Sequence, residues 1–209
     1  MIVLTEDTGV TVFVHCCSNT VNNCYLIGAD AVREAVIVDP GYLDETILLY
    51  IEDNNYALRG ILVTHDHTKL RGIQSLKRIY DAPIYAVNQQ IYGYKTAAIR
   101  DRDILAIGSL RFEVLLIPGH TQDSAVFRIG HLLFTGDVLS AGMVGYTPSA
   151  YSAATQMNAL QSKVFSLLGD FTIFPCHGPP SSLESERRFN VGIQRYEQKK
   201  NRTRSFEPF

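Results

Sequence analysis

The chain lacks the features that mark a nucleic-acid-binding, secreted or membrane-spanning protein. Of its 209 residues, 19 are Lys or Arg and 21 are Asp or Glu, a formal net charge of -2. That near-neutral balance gives no global field to attract nucleic acid or an anionic membrane, and neither partner is expected. No uninterrupted apolar run approaches the ~20 residues that a membrane helix needs. The start, Met1-Ile2-Val3-Leu4-Thr5-Glu6-Asp7, turns acidic before any long apolar core and carries no early Lys or Arg. It does not read as a secretory signal, and a cytoplasmic location is expected. Cysteine is scarce: Cys16, Cys17, Cys24 and Cys176 contain no CxxC pair, which suits neither a disulfide framework nor a zinc knuckle. Reduced, mostly packed thiols are expected. No linker divides the chain and its halves share no residue-level repeat, so one domain over residues 1–209 is expected.

What is present is a globular composition, 46% hydrophobic and 19% charged. Short β-branched runs at 10–14, 24–27 and 35–38 read as strands, the last stopped by Asp39-Pro40-Gly41. Ile47, Leu48 and Ile51, with Leu43, share one face of a helical pattern ending at Asn54-Asn55. Gly60-Ile61-Leu62-Val63 is a strand, 72–80 a helix and 83–87 a short strand. The second half predicts strands at 103–107, 110–117, 124–129 and 131–135, and then a glycine-rich loop over 136–149. A helix over 153–168 and a strand over 171–174 follow. Two such mixed halves predict an α/β fold of the αββα sandwich type, two mixed β-sheets flanked by helices. The basic stretch at 187–209 is expected to be a solvated last helix and tail rather than a patch for an anionic partner.

The chemistry-bearing residues gather at strand ends beside glycine. His65 and His67 sit one residue apart directly after strand 60–63, where both imidazoles can point at one ion. His120 follows Pro118-Gly119 after strand 110–117, Asp137 follows Thr135-Gly136, and His177 lies in Pro175-Cys176-His177-Gly178 after strand 171–174. Four separate strand-end loops thus each offer a nitrogen or carboxylate ligand, and loops on a rigid sheet edge are where sites are assembled. Imidazole and carboxylate donors are what zinc and iron sites use. His15 and His131 lack such a setting.

Thr64-His65-Asp66-His67, Pro118-Gly119-His120-Thr121, Phe134-Thr135-Gly136-Asp137 and Cys176-His177-Gly178-Pro179 follow one another in a telling order and spacing. The set resembles the metallo-β-lactamase superfamily and, within it, the small glyoxalase II-like (hydroxyacylglutathione hydrolase-like) enzymes. The likeness runs from about Val21 to Pro180, and Asn23-Cys24-Tyr25-Leu26 and Val38-Asp39-Pro40-Gly41 fit the family's opening. It implies that His65, His67 and His120 hold a first metal, that Asp137 bridges two, and that His177 belongs to the second. Asp39 is implied as an acid behind the ligands that fixes their loops, although a turn-capping carboxylate before Pro40-Gly41 fits it as well. Asp66 falls at a variable position of the motif and is not counted as a ligand.

The departures matter as much. The family's HxHxDH becomes His65-Asp66-His67-Thr68-Lys69-Leu70, so the Asp and His that complete the second site are absent. Asp123 stands in Gly119-His120-Thr121-Gln122-Asp123-Ser124 where glycine is usual. One expectation is a single divalent metal, zinc before iron, with the Lys69 ammonium standing in for the second cation beside Asp137. At ~4 Å and an effective dielectric of about 20 that pair has a Coulomb term of roughly 4 kcal/mol before desolvation. The other is that Lys69 swings into solvent and the second site has decayed. Hydrolysis of an ester, thioester or related carbonyl in a small-molecule substrate is the expected activity. Two alternatives stay open. One is a mononuclear iron dioxygenase of the persulfide dioxygenase type on His65, His120 and Asp137; the other is a degenerate binding protein.

Overall fold

The β-branched runs pair into two sheets in the computed structural model, which describes residues 2–5, 9–17, 22–66 and 71–204. The first sheet has seven strands: β1 (Ile2–Thr5), β2 (Val10–Cys17), β3 (Asn22–Ala29), β4 (Glu34–Val38), β5 (Ala57–Leu62), β6 (Ile84–Ala86) and β7 (Ala97–Ala98). Its strands lie side by side in chain order, antiparallel from β1 to β4 and parallel from β4 to β7. The second has six: β8 (Ile104–Ile107), β9 (Leu110–Leu116), β10 (Ala125–Ile129), β11 (Leu132–Gly136), β12 (Thr172–Pro175) and β13 (Ser181–Ser182). All its neighbours are antiparallel except β11 and β12.

The two-residue period of the strands sorts the side chains into layers. In β4, Val36 and Val38 face the second sheet while Ala35 and Ile37 face outward, and in β3 Tyr25 and Ile27 face inward while Cys24 and Leu26 face outward. The second sheet mirrors this: Phe127, Phe134 and Phe174 point into the space between sheets, Val126, Leu133 and Ile173 away from it. Both faces of both sheets are therefore apolar, and each outer face needs a cover. Ile47 and Ile51 of α1 (Glu45–Asp53), with Ile73 and Leu76 of α2 (Gly72–Ile79), cover the first. Leu160 of α3 (Ala150–Lys163) and Leu183 of α4 (Leu183–Phe189) cover the second. The αββα arrangement expected from the sequence follows from that bookkeeping.

Local chemistry shifts some boundaries. The Ser149 hydroxyl accepts from Ser152 N–H at 3.0 Å, so α3 starts at 150 rather than 153. The glycine-rich loop at 136–149 contains a small hairpin, Leu139–Ser140 against Met143–Val144. The basic end is two helices, because the chain breaks at Asn190 between α4 and α5 (Val191–Arg204). Arg187 in that stretch donates to the carbonyls of Phe165 (3.1 Å) and Gly169 (2.9 Å). Its charge is thus spent on the fold. Residues 205–209 of the expected tail lie outside the described residues. Among the described residues no helix is long and apolar enough to cross a membrane.

Candidate metal centre

Each sheet contributes a parallel strand pair whose C-terminal ends reach one edge. Val38 of β4 pairs with Leu62 of β5, which sets Asp39 beside Val63, Thr64 and His65. Gly136 of β11 pairs with Pro175 of β12, which sets Asp137 beside Cys176 and His177. His120 arrives from the loop between β9 and β10. Backbone bonds lock these loops together: Ala125 N–H donates to Thr64 O (2.8 Å), Cys176 N–H to Gly136 O (2.8 Å) and Asn23 N–H to Cys176 O (2.7 Å). Asn23 Nδ2 also donates to Pro175 O at 3.0 Å and Gly178 O at 2.6 Å, so it straps the His177 loop from both sides.

Asp137 stands at the centre. Its Oδ2 lies 3.5 Å from His65 Nε2 and 3.6 Å from His120 Nε2, and its Oδ1 lies 3.7 Å from His177 Nε2. The His65 and His120 rings meet edge to face, 5.1 Å between centroids. Burial alone would raise the Asp137 carboxyl, yet His65, His177 and His120 hold it down at about 2. Burial pulls the His65 imidazole the other way, but Asp137, Asp39 and Asp123 together raise it. The cluster is a knot of mutually compensating charge of the kind found at functional sites.

The outer nitrogens are spoken for. His120 Nδ1 lies 2.8 Å from Tyr146 O, and since a carbonyl only accepts, that nitrogen carries the proton and Nε2 offers a lone pair. Thr64 Oγ1 gives its single proton to Asp39 Oδ2 at 2.7 Å, so toward His65 Nδ1, 3.0 Å away, it accepts. His65 Nε2 is thereby also left as the nitrogen that can offer a lone pair. Burial raises the Asp39 carboxyl to about 6, against the pull of His65 and of the two bonds from Thr64. Asp39 thus lies behind Thr64 and His65 and holds its backbone at a left-handed φ of 48°.

The donor set fits a metal. His65, His120 and Asp137 each offer a ligand atom within 4.8 Å of the others, and so do Asp137, Cys176 and His177. Ligands ~2.0–2.1 Å from a tetrahedral zinc-type ion lie roughly 3.3–3.4 Å apart, close to the separations about Asp137. Ordinary hydrogen bonds between these atoms would be shorter.

Of the sequence candidates, His65, His120, Asp137 and His177 come together with Asp39 behind them. His67 and Lys69 lie outside the described residues. Asp66 takes no part in the cluster: its N–H donates to Asp123 Oδ2 at 2.8 Å, and Asn88 Nδ2 donates to the same oxygen at 3.1 Å. The unusual Asp123 therefore anchors the His65 loop. His15 instead pairs with Asp44 at 2.7 Å, and His131 with the Asp170 carbonyl at 3.3 Å. Sequence reasoning missed Thr64, Asn23 and the Tyr146 carbonyl. A hydroxyl beside the first motif histidine was a readable signal for Thr64; a backbone carbonyl leaves none.

The family model described as metallo-beta-lactamase superfamily matches residues 19–177. GloC of Haemophilus influenzae, a hydroxyacylglutathione hydrolase, is 30% identical over 194 residues, 80% of this chain and 91% of that protein. A Bacillus subtilis protein named "Probable polyketide biosynthesis zinc-dependent hydrolase PksB" is 25% identical over 186 residues, 83% and 82% of the two chains. The crystal structure of ETHE1 from Myxococcus xanthus superposes with a TM-score of 0.77 at 27% identity, covering 86% of this chain and 83% of that one.

Proposed function

Because the chain belongs to the metallo-beta-lactamase superfamily, we propose that it is a metal-dependent hydrolase cleaving an ester, thioester or related carbonyl of a small molecule. The observation that carries this is the pair of ligating tautomers. Both imidazole Nε2 atoms face one Asp137 oxygen while both Nδ1 atoms are held from behind. In this reading His65, His120 and Asp137, joined by His67 of the same motif, hold one divalent ion, zinc before iron. A bound ion supplies Lewis acidity, which makes water a nucleophile near neutral pH and polarises the carbonyl under attack. The chain's own groups do the rest. Thr64 and Tyr146 keep the rings aimed, and Asp137, held ionised, accepts a hydrogen bond that orients the water. Lys69, two residues past His67, supplies a cation for the oxyanion.

One specific observation favours a second reading. His65, His120 and Asp137 form a two-histidine, one-carboxylate group, the donor set of mononuclear iron oxygenases. Elemental analysis of protein purified without chelator or added metal, followed by assay on acyl thioesters and aryl esters, separates the readings. Zinc with cleavage that is lost in His120→Ala supports hydrolysis. Ferrous iron with oxygen uptake supports the second reading. Metal-free protein that folds alike with and without His120 overturns both and leaves a binding protein.

A further inference from the structure

His120 depends on a carbonyl that its own loop does not supply. Its Nδ1 lies 2.8 Å from Tyr146 O, and the Tyr146 side chain is 79% exposed, so burial of that ring does not hold the carbonyl in place. The residue before it does. Gly145 N–H donates to Val138 O at 3.0 Å, and Gly145 O accepts from Gln156 Nε2 of α3 at 3.1 Å. Gln156 also touches the other loop, because a Cβ on Gly119 would collide with Gln156 Cβ and with Ser152 O. One side chain thus meets both the residue before His120 and the residue before Tyr146. We infer that Gln156 is a positioning residue for His120: it sets the gap between the two loops, so that Nδ1 keeps its proton on the Tyr146 carbonyl and Nε2 faces Asp137 bare. The inference rests on the histidine cluster being a metal centre and not on which reaction follows.

Three physical points carry it. The first is the amide itself. Gln156 is only 2% exposed, and the Gly145 carbonyl can only accept, so the nitrogen end of the amide must face it. The oxygen end is buried and, among the described residues, has no hydrogen-bond partner. Such an acceptor lowers stability, and methionine would fill the same length of space without it. A residue that stability alone would not choose is a mark of a site held for function. The second point is the packing. A Cβ on Gly145 would collide with Asp137 O, as one on Gly119 would with Gln156. The Asp137 backbone, Gly145, the Gln156 side chain and Gly119 therefore form one close stack, and this stack sets the 3.6 Å between His120 Nε2 and Asp137 Oδ2. The third is the tautomer. Which imidazole nitrogen carries the proton is decided by the bond the other makes, so a displaced Tyr146 carbonyl frees the proton to move to Nε2.

Imidazole nitrogen NMR of the metal-free full chain tests this at about pH 8, where an ordinary imidazole is neutral and its tautomer can be read. The His120 signals are identified by their loss in His120→Ala. We expect the parent to carry the proton on Nδ1 alone. Gln156→Met moves it partly or wholly to Nε2 and weakens zinc binding, measured against a chelating dye, about tenfold or more. The melting temperature of that variant stays within about 3 °C of the parent or rises, because solvent reaches the half-buried Gly145 carbonyl and the buried Oε1 is gone. Gln156→Leu does the same to the proton and to zinc should the methionine variant not fold. An unmoved His120 proton with zinc affinity intact in the folded variant overturns the assignment, whatever the melting temperature does. So does a parent His120 that carries its proton on Nε2. A parent chain that binds no zinc fails the metal reading, and the tautomer, read without metal, still decides whether Gln156 positions His120.

Discussion

Asp39 holds Thr64 at two points, accepting from its backbone N–H at 2.8 Å and from its hydroxyl at 2.7 Å. The second bond decides the chemistry of His65, because the hydroxyl has one proton and Asp39 takes it. Asp39→Asn is nearly isosteric, yet its amide nitrogen would donate to Thr64 Oγ1 and turn the hydroxyl proton toward His65 Nδ1. His65 would then carry its proton on Nε2, the nitrogen that faces Asp137 and that the proposed metal needs. We expect metal affinity to fall about 10–100-fold, as for other groups behind metal ligands. Competition against a chelating dye measures it. Thr64→Ser keeps the relay and should stay within about threefold of the parent; equal loss in both variants would refute the tautomer account.

Gly136 is the reason Thr64 can come so close. It sits at φ +54°, and a Cβ there would collide with Thr64 Oγ1. Gly136→Ala forces a left-handed alanine at about 1–2 kcal/mol and displaces the hydroxyl as well. The melting temperature should drop by roughly 4–8 °C for about 2 kcal/mol. Metal affinity should fall in parallel. Gly142, also at positive φ (+75°) but with open space beyond it, is the control: alanine there costs the backbone term without touching metal binding.

The strand-end histidines and Asp137 were legible because each combines three local signals, a β-branched run, a glycine and a histidine or aspartate. The layers were legible because alternation in β3 and β4 is visible residue by residue. What stayed hidden depends on pairings between distant segments. Asn23 meets Pro175 across 152 residues, and only the folded sheets bring them together. Cys176 was expected to be a packed thiol, and it is buried, but its place beside Asp137 follows from the parallel register of β11 and β12. The break at Asn190 lies in Phe189-Asn190-Val191-Gly192-Ile193, flanked by charged segments, in a stretch that reads as one helix. There the Asn190 side chain donates to Glu186 Oε2 and its Oδ1 accepts from Ile193 N–H, turning the chain between two helices.

A clamp outside the histidine cluster ties α3 to the strand leading to His120. Lys163 Nζ donates to Asp101 Oδ2 and to Leu116 O, each at 2.8 Å, and Leu116 N–H donates to Asp101 Oδ1 at 2.8 Å. Burial opposes ionisation of Asp101, but Lys163 and Leu116 win and its carboxyl lies below the ordinary value. Its stabilisation is therefore complete above the unfolded-state pKa of about 3.9 and fades as pH falls through the lower folded-state value. Asp101→Asn should lower the melting temperature near neutral pH by an amount worth at most ~1 kcal/mol, since solvent screens the pair. The gap between variant and parent should close as the pH is taken below about 4. A constant gap would show that Asp101 acts through packing instead.

Asn23 makes the sharpest prediction about the loop that carries Cys176 and His177. Its side-chain NH2 serves two carbonyls, Pro175 O and Gly178 O, on either side of Cys176 and His177. Asn23→Ala leaves Gly178 O without that donor, at about 1–3 kcal/mol less whatever water recovers at the half-open end, while Pro175 O keeps the bond from the Tyr25 hydroxyl. Thermal melting should show a loss of roughly 1–3 kcal/mol. Asn23→Asp should be worse than alanine despite its matched shape, because a carboxylate brings only acceptors to face two acceptors. The ordering asparagine, alanine, aspartate is what distinguishes a hydrogen-bonding strap from simple space filling, which would rank aspartate next to asparagine.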